Sequence, residues 1–127
     1  MVIMLKIFNL KELWVMICKG EIWLVNLNPQ KRSNEIGKTR PAVVIQNDLL
    51  NHSEYATVIV LPMSTVLIDD AEPLRCRVQK RAGLKSDSDI LVAHARAVDK
   101  ERLLQKLGEL SSEEMEHIHI LFNEIIF

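Results

Sequence analysis

A chain of 127 residues suffices for one domain with a closed core and is too short for two. Hydrophobic residues make up 48% and charged residues 26%, ordinary globular values that argue against a disordered chain and against a membrane protein. The net charge of −1 does not announce a polyanion ligand.

The distribution of charge says more than the total. Residues 19–46 carry five basic and two acidic side chains, and residues 75–106 carry nine basic and four acidic. Residues 109–127 hold five glutamates and no Lys or Arg. Two basic stretches of this kind can build a locally positive groove for a polyanion, and they also fit an unevenly charged solvated surface. Cys18 and Cys76 form no CxxC pair and no disulfide framework, so a reduced cytoplasmic chain is expected.

Residues 1–18 read as an extension, and residues 19–127 as the single domain. The extension is apolar but broken by Lys6, Lys11 and Glu12, short of the ~20 residues that span a bilayer. It lacks a clean secretory pattern. Two readings stand: an amphipathic helix, or translation that naturally starts at Met16. The intact mass of the native protein separates them, because a start at Met16 removes the first fifteen residues.

The elements then follow in order. Glu21 to Asn28 is a strand, rich in β-branched and aromatic residues and stopped by Pro29. Gln30 to Thr39 is a polar loop. Pro41 to Gln46 and Thr57 to Leu61 are two further strands of buried type, separated by a polar connection over Asn47 to Glu54. Weaker strands cover Leu74 to Val78 and Ile90 to Ala93, and a short one lies near Gly108. Ser111 and Glu114 make a capping box for a terminal helix whose apolar face is Met115, Ile118, Leu121, Phe122, Ile125 and Ile126. Short strands followed by one helix predict an α+β, mainly β fold, a small barrel or curled sheet with the helix packed on it. Connections too short for repeated crossovers disfavour a doubly wound nucleotide-binding fold.

The common catalytic signatures are missing: there is no P-loop, GxGxxG, GxSxG or HExxH. His117 and His119 are two apart on the predicted helix and point about 200° apart, poorly placed to share a metal. The adjacent pairs Asp69-Asp70 and Glu113-Glu114 do not have metal-ligand spacing. No metal and no cofactor is expected.

Several ordered segments resemble one family. Glu21-Ile22-Trp23-Leu24-Val25-Asn26-Leu27-Asn28-Pro29 is similar to the opening strand of MazF/PemK toxins, and the run from Ser33 through Gly37-Lys38-Thr39-Arg40-Pro41 to Asp48 resembles their loop and second strand. Val58 to Thr65, with Pro62, Met63, Ser64 and Thr65 at its end, resembles their third strand, and Arg96 to Leu103 their later basic segment. The resemblance covers about Lys19 to the C-terminus. It implies an SH3-like barrel of CcdB/PemK type with a C-terminal helix, and a homodimer. It also implies sequence-specific, metal-independent cleavage of single-stranded mRNA in the cytoplasm. A MazE-type antitoxin partner is implied too, with DNA reached only through that antitoxin and no membrane partner.

The resemblance also assigns residues. Arg40 and Ser64 take the catalytic positions; Glu35, Lys38, Asn47, Thr65, His94 and Arg96 are candidates for RNA contact. The chemistry suits these types. An arginine is always charged and offers a planar fork to phosphoryl oxygens, and Pro41 biases Arg40 toward extended backbone. A hydroxyl at Ser64 can donate to a phosphoryl oxygen while accepting from a neighbour. The chain departs from the family at Ala93-His94, where many relatives carry an acidic residue and Gln, so a carboxylate base cannot be carried over. His94 is the titratable group nearby. Two readings compete with the enzyme: a CcdB-like gyrase poison and an RNA-binding module without catalysis. Neither needs Arg40 and Ser64 to meet.

Overall fold

The computed structural model describes residues 17–27 and 39–127. The N-terminal extension to residue 16 and the loop of residues 28–38, with Glu35 and Lys38, lie outside the described residues.

Among the described residues seven strands form one antiparallel sheet: β1 (Glu21–Asn26), β2 (Thr39–Val44), β3 (Thr57–Ser64), β4 (Arg75–Val78), β5 (Ser88–Leu91), β6 (Arg96–Asp99) and β7 (Leu103–Glu109). The order is β4-β5-β3-β2-β1-β7, with β6 also paired to β3. Helix α1 (Asp48–Asn51) is one turn after β2, and helix α2 (Ser112–Ile126) ends the chain. The mainly β fold with a C-terminal helix matches expectation. Closure does not: β4 and β7 end the path without pairing to each other, so the sheet is open and not a closed barrel.

The apolar runs form strands because they serve two cores, one on each face of the sheet. Val43, Leu61, Met63, Cys76 and Ile90 point to one side, where Ile118 and Leu121 of α2 cover them. Val25, Ala42, Val44, Val58, Val60, Val98 and Leu103 point to the other, where Ile17 joins them. Alternation along β2 and β3 thus leaves both faces apolar, unlike a strand with one face in water. Helix α2 starts at the predicted box: Ser111 Oγ accepts from Glu114 N–H at 3.0 Å and Glu114 Oε1 accepts from Ser111 N–H at 2.9 Å. Ile126, expected on its apolar face, is exposed because the helix runs past the edge of the core.

The third strand runs three residues beyond its predicted end, through Pro62. The reason lies in its edges. One edge pairs with β2; the other pairs with β6 as far as Val60 and with β5 from Met63. Ile45 N–H donates to Ile59 carbonyl oxygen at 3.0 Å, so odd-numbered residues of β3 turn their polar groups to β2 and Pro62 turns its nitrogen to the other edge. There it meets the gap between two ladders, where no donor is needed. The turn Val92–His94 links the strands flanking that gap.

Sequence patterning missed two elements. Strand β6 buries one residue in four, so its identity comes from pairing with β3 and not from periodicity. The polar connection after β2 holds α1, capped by the Asn47 side chain, which accepts from Leu49 N–H at 2.8 Å. Its other end is closed by buried Lys100, whose Nζ donates to the carbonyls of Leu50, Asn51 and Ser53 at 3.2, 2.9 and 3.1 Å.

Arg81 clamps the start of α2 by donating to both carboxylate oxygens of Glu114, at 2.7 and 2.8 Å. These bonds outweigh partial burial and hold the Glu114 carboxyl at about 2, against an ordinary 4.5. A carboxyl depressed in the folded state contributes stability above its unfolded pKa, and that stability is lost as pH falls. The thermal stability gap between wild type and Glu114→Gln should therefore be full above about pH 4.5 and shrink steadily toward pH 2. A gap that stays constant across that range would show that the Arg81 pair does not couple to folding.

Candidate active site

The site grows from the register of β2 against β3. Ala42 stands opposite Pro62, Val43 opposite Leu61 and Val44 opposite Val60. Continuing that register by two residues sets Arg40 opposite Ser64, on the face that carries Ala42, Val44 and Val60. The two residues assigned from the resemblance therefore fall on the same face, two residues beyond the last ladder pair and at the rim of the second core. Pro41 turns its nitrogen toward β3 just past the last ladder pair, so its missing donor costs no ladder bond there.

Arg40 is half-buried and pairs through its backbone with Val25 of β1. No described residue engages its guanidinium, which leaves its fork of donors available to an anion. Ser64 Oγ accepts from Val66 N–H at 3.1 Å. That bond fixes the hydroxyl and leaves its own proton for donation.

The row continues beyond Ser64. Ser64 pairs with Asp89 of β5, and Asp89 with Arg77 of β4. Asp89 is buried and accepts three kinds of donor: Arg77 Nε at 2.6 Å, Ile68 N–H at 2.9 Å and an Arg75 guanidinium nitrogen at 3.0 Å. Burial pushes this carboxyl up, but the bonds from Arg77, Ile68 and Arg75 outweigh it and hold it below the usual carboxylate range. Arg77 also meets Asp69 at 3.0 Å. Asp89 is thus a fixed anion that ties the loop after Ser64 to β4 and β5, and it makes a poor proton acceptor. Sequence reading missed it because Ser86-Asp87-Ser88-Asp89 looks like a polar turn. The usable signal was two arginines at alternate positions, Arg75 and Arg77, which share a face on a strand and call for a counter-charge.

Two clefts flank this row. One of about 650 Å³ is lined by Ile68, Asp69, Asp70, Arg75, Arg77 and Asp89. The other, about 230 Å³, is lined by Pro41, Met63, Ser64, Thr65 and the turn around Gly83 to Ser86. Ser64 lines the second of them.

The remaining candidates divide. Thr65 is exposed at the end of β3, beside Ser64. His94 is exposed on the turn between β5 and β6, at the gap beside Pro62. Arg96 pairs with Val60, roughly 13 Å along β3 from Ser64. Asn47 does not join them. It follows the opposite end of β2 from Arg40, and its side chain is committed to capping α1. Glu35 and Lys38 lie outside the described residues.

Comparison with known proteins places the chain in a family. The sequence pattern of the PemK-like, MazF-like toxins of type II toxin-antitoxin systems matches residues 18–126. The chain belongs to that family. The toxin is 34% identical over 106 residues to the protein named endoribonuclease MazF from Staphylococcus saprophyticus, covering 82% of this chain and 86% of that one. Its fold is that of a chain in the MazE-MazF complex of Deinococcus radiodurans, with a TM-score of 0.71, 19% identity, and coverage of 87% and 95%. It also matches a mycobacterial endoribonuclease solved with its cognate antitoxin, with a TM-score of 0.68, 16% identity, and coverage of 87% and 94%. No described helix is long and apolar enough to cross a membrane.

Asp89→Asn should cost the toxin about 1–3 kcal/mol in urea unfolding, because the charge-assisted bonds to the buried carboxylate are weakened while the partly exposed arginines keep water and Asp69. Limited proteolysis should cut faster within residues 65–74, which Asp89 holds through Ile68. Unchanged stability and unchanged cutting would remove Asp89 from this role.

Proposed function

We propose that this toxin is an endoribonuclease that cleaves single-stranded mRNA without a metal, through attack by the RNA's own 2′-hydroxyl. The observation that carries the proposal is the β2–β3 register, which, carried two residues past its last pair, puts Arg40 and Ser64 on one face at one rim of the sheet. A gyrase poison has no use for that pair, and a passive RNA binder does not need it.

In this reading the scissile phosphate lies over β2 and β3. Arg40 takes up the charge that develops on the phosphoryl oxygens, and Ser64 donates its hydroxyl proton to one of them as a hydrogen bond. The 2′-oxygen bonds to phosphorus, its proton passes to a base, and the 5′-oxygen leaves with a proton. The products are a 2′,3′-cyclic phosphate and a 5′-hydroxyl end. Asp89 is held too firmly by arginines to be the base. His94, exposed on the turn between β5 and β6, is the side chain we assign as that base, because an imidazole can take and return a proton. Thr65 and Arg96, with Glu35 and Lys38 of the loop, extend the RNA track on either side.

The relatives solved with antitoxins support a MazE-type partner for this toxin. An acidic antitoxin segment would lie over Arg40 and exclude RNA. A homodimer, a cytoplasmic site of action and DNA contact only through the antitoxin belong to the same reading.

Mapping RNA ends after limited digestion in EDTA tests the proposal. Wild type should leave cyclic phosphate and 5′-hydroxyl ends at a recurring sequence. Arg40→Ala should slow cleavage by about 100–1000-fold, the usual cost of one charge-stabilising donor. Intact RNA across varied sequences, from folded protein, would overturn the activity. In the same assay His94→Gln should lower the rate and change its pH profile; an unaltered profile and rate would rule His94 out as the base.

A further inference from the structure

At the opposite end of β2 from Arg40, three metal-ligating side chains from two separate stretches of chain converge. Cys18 precedes β1, Asp48 opens α1 and His52 closes it. Cys18 Sγ lies 3.4 Å from His52 Nε2, and His52 Nε2 lies 3.9 Å from Asp48 Oδ1. The three ligand atoms are all within 4.8 Å of one another. In a tetrahedral site with bonds of 2.0–2.3 Å, neighbouring ligand atoms stand roughly 3.3–3.6 Å apart. The Cys18–His52 distance already lies in that range, and the His52–Asp48 distance exceeds it by a few tenths of an ångström. We propose that Cys18, Asp48 and His52 form a binding site for a zinc-class divalent cation, separate from the Arg40–Ser64 site.

The donor set selects the class of ion. One sulfur, one imidazole nitrogen and one carboxylate oxygen suit zinc or cobalt, whereas calcium and magnesium demand oxygen throughout. A thiolate and a carboxylate together balance the charge of a dication. The ligands are also held from behind, as ligands in working sites are. Cys18 N–H donates to Glu21 Oε1 at 2.8 Å. Asp48 Oδ1 accepts from Lys19 N–H at 2.7 Å and from the Asn51 amide at 3.0 Å, which fixes the orientation of the carboxylate. His52 N–H donates to the Asp48 carbonyl at 2.9 Å. Burial and the carboxylates of Glu21 and Asp48 push the Cys18 thiol up, so the cation must displace its proton as the sulfur bond forms. The same carboxylates attract the incoming dication.

A second grouping, Glu72, Cys76 and His117, is a weaker host. Cys76 is buried in the first core with its thiol pushed up to about 11, and Glu72 already pairs with His117 at 2.9 Å. Ionising that sulfur costs more than ionising Cys18.

The test uses the full-length protein, reduced and stripped with a chelator. One equivalent of Co²⁺ should produce a thiolate-to-cobalt charge-transfer band in the near ultraviolet, and Zn²⁺ should displace it. Cys18→Ser should abolish the band, Cys76→Ser should retain it, and His52→Gln should weaken Co²⁺ binding about tenfold or more. On wild type alone, Zn²⁺ should slow alkylation of Cys18 about tenfold or more, read by mass spectrometry with Cys76 as internal reference. This arm decides the matter if a variant fails to fold. A band that survives Cys18→Ser and vanishes in Cys76→Ser would move the ion to the second grouping and overturn the proposal. So would the absence of any band at saturating Co²⁺ with Cys18 alkylation unchanged.

Discussion

The register between β2 and β3 decides nearly everything else. It sends Val43, Leu61 and Met63 into one core and Ala42, Val44 and Val60 into the other. Continued by two residues, it also puts Arg40 and Ser64 on one face. A slip of one residue would exchange the two faces and part that pair. Because both faces are apolar, hydrophobicity alone cannot hold the register. The prolines do. Pro62 carries its missing donor at the gap where β3 changes partner from β6 to β5, and Pro41 carries its own just past the β2–β3 ladder. In the slipped register those nitrogens would face ladder positions that need an N–H. Packing adds to the penalty, since each well-buried valine or leucine contributes about 1.5–3 kcal/mol.

Much of this was legible in the residues, and the rest was hidden for physical reasons. Runs such as Ala42-Val43-Val44 and the box at Ser111 and Glu114 announce their elements through local chemistry. Strand β6 does not, because Arg96 to Asp99 is mostly exposed and is a strand only through its partner. Asp89 was concealed more deeply. Strand β5 starts two residues before the predicted Ile90, with all four of its residues buried, and the added carboxylate is acceptable there only because Arg75, Arg77 and Ile68 supply donors from elsewhere. Such compensation depends on tertiary structure, so no window of sequence displays it. The site pair is intermediate: resemblance to a family could name Arg40 and Ser64, but their adjacency is a property of the register.

The same logic separates the two ends of β2. One end presents a guanidinium without a described partner beside a fixed hydroxyl, an arrangement for receiving an anion. The other gathers Cys18, Asp48 and His52 in a field made negative by Glu21 and Asp48, an arrangement for receiving a cation. Asn47 belongs to this second end by structure, although it lies in the same family-like run as Arg40 when the chain is read as a string. A six-residue strand thus separates the two proposed sites, which sequence proximity would merge.

The open sheet has a consequence for solubility. A strand at the end of an open sheet offers a row of unpaired N–H and C=O groups to any other chain in solution. At one end that strand is β4, kept to four residues and armed with Arg75 and Arg77. Short length and charge are common defences against edge-to-edge aggregation. The arginines that neutralise Asp89 therefore also guard a border, and replacing both with apolar residues would invite intermolecular pairing even where the fold survived.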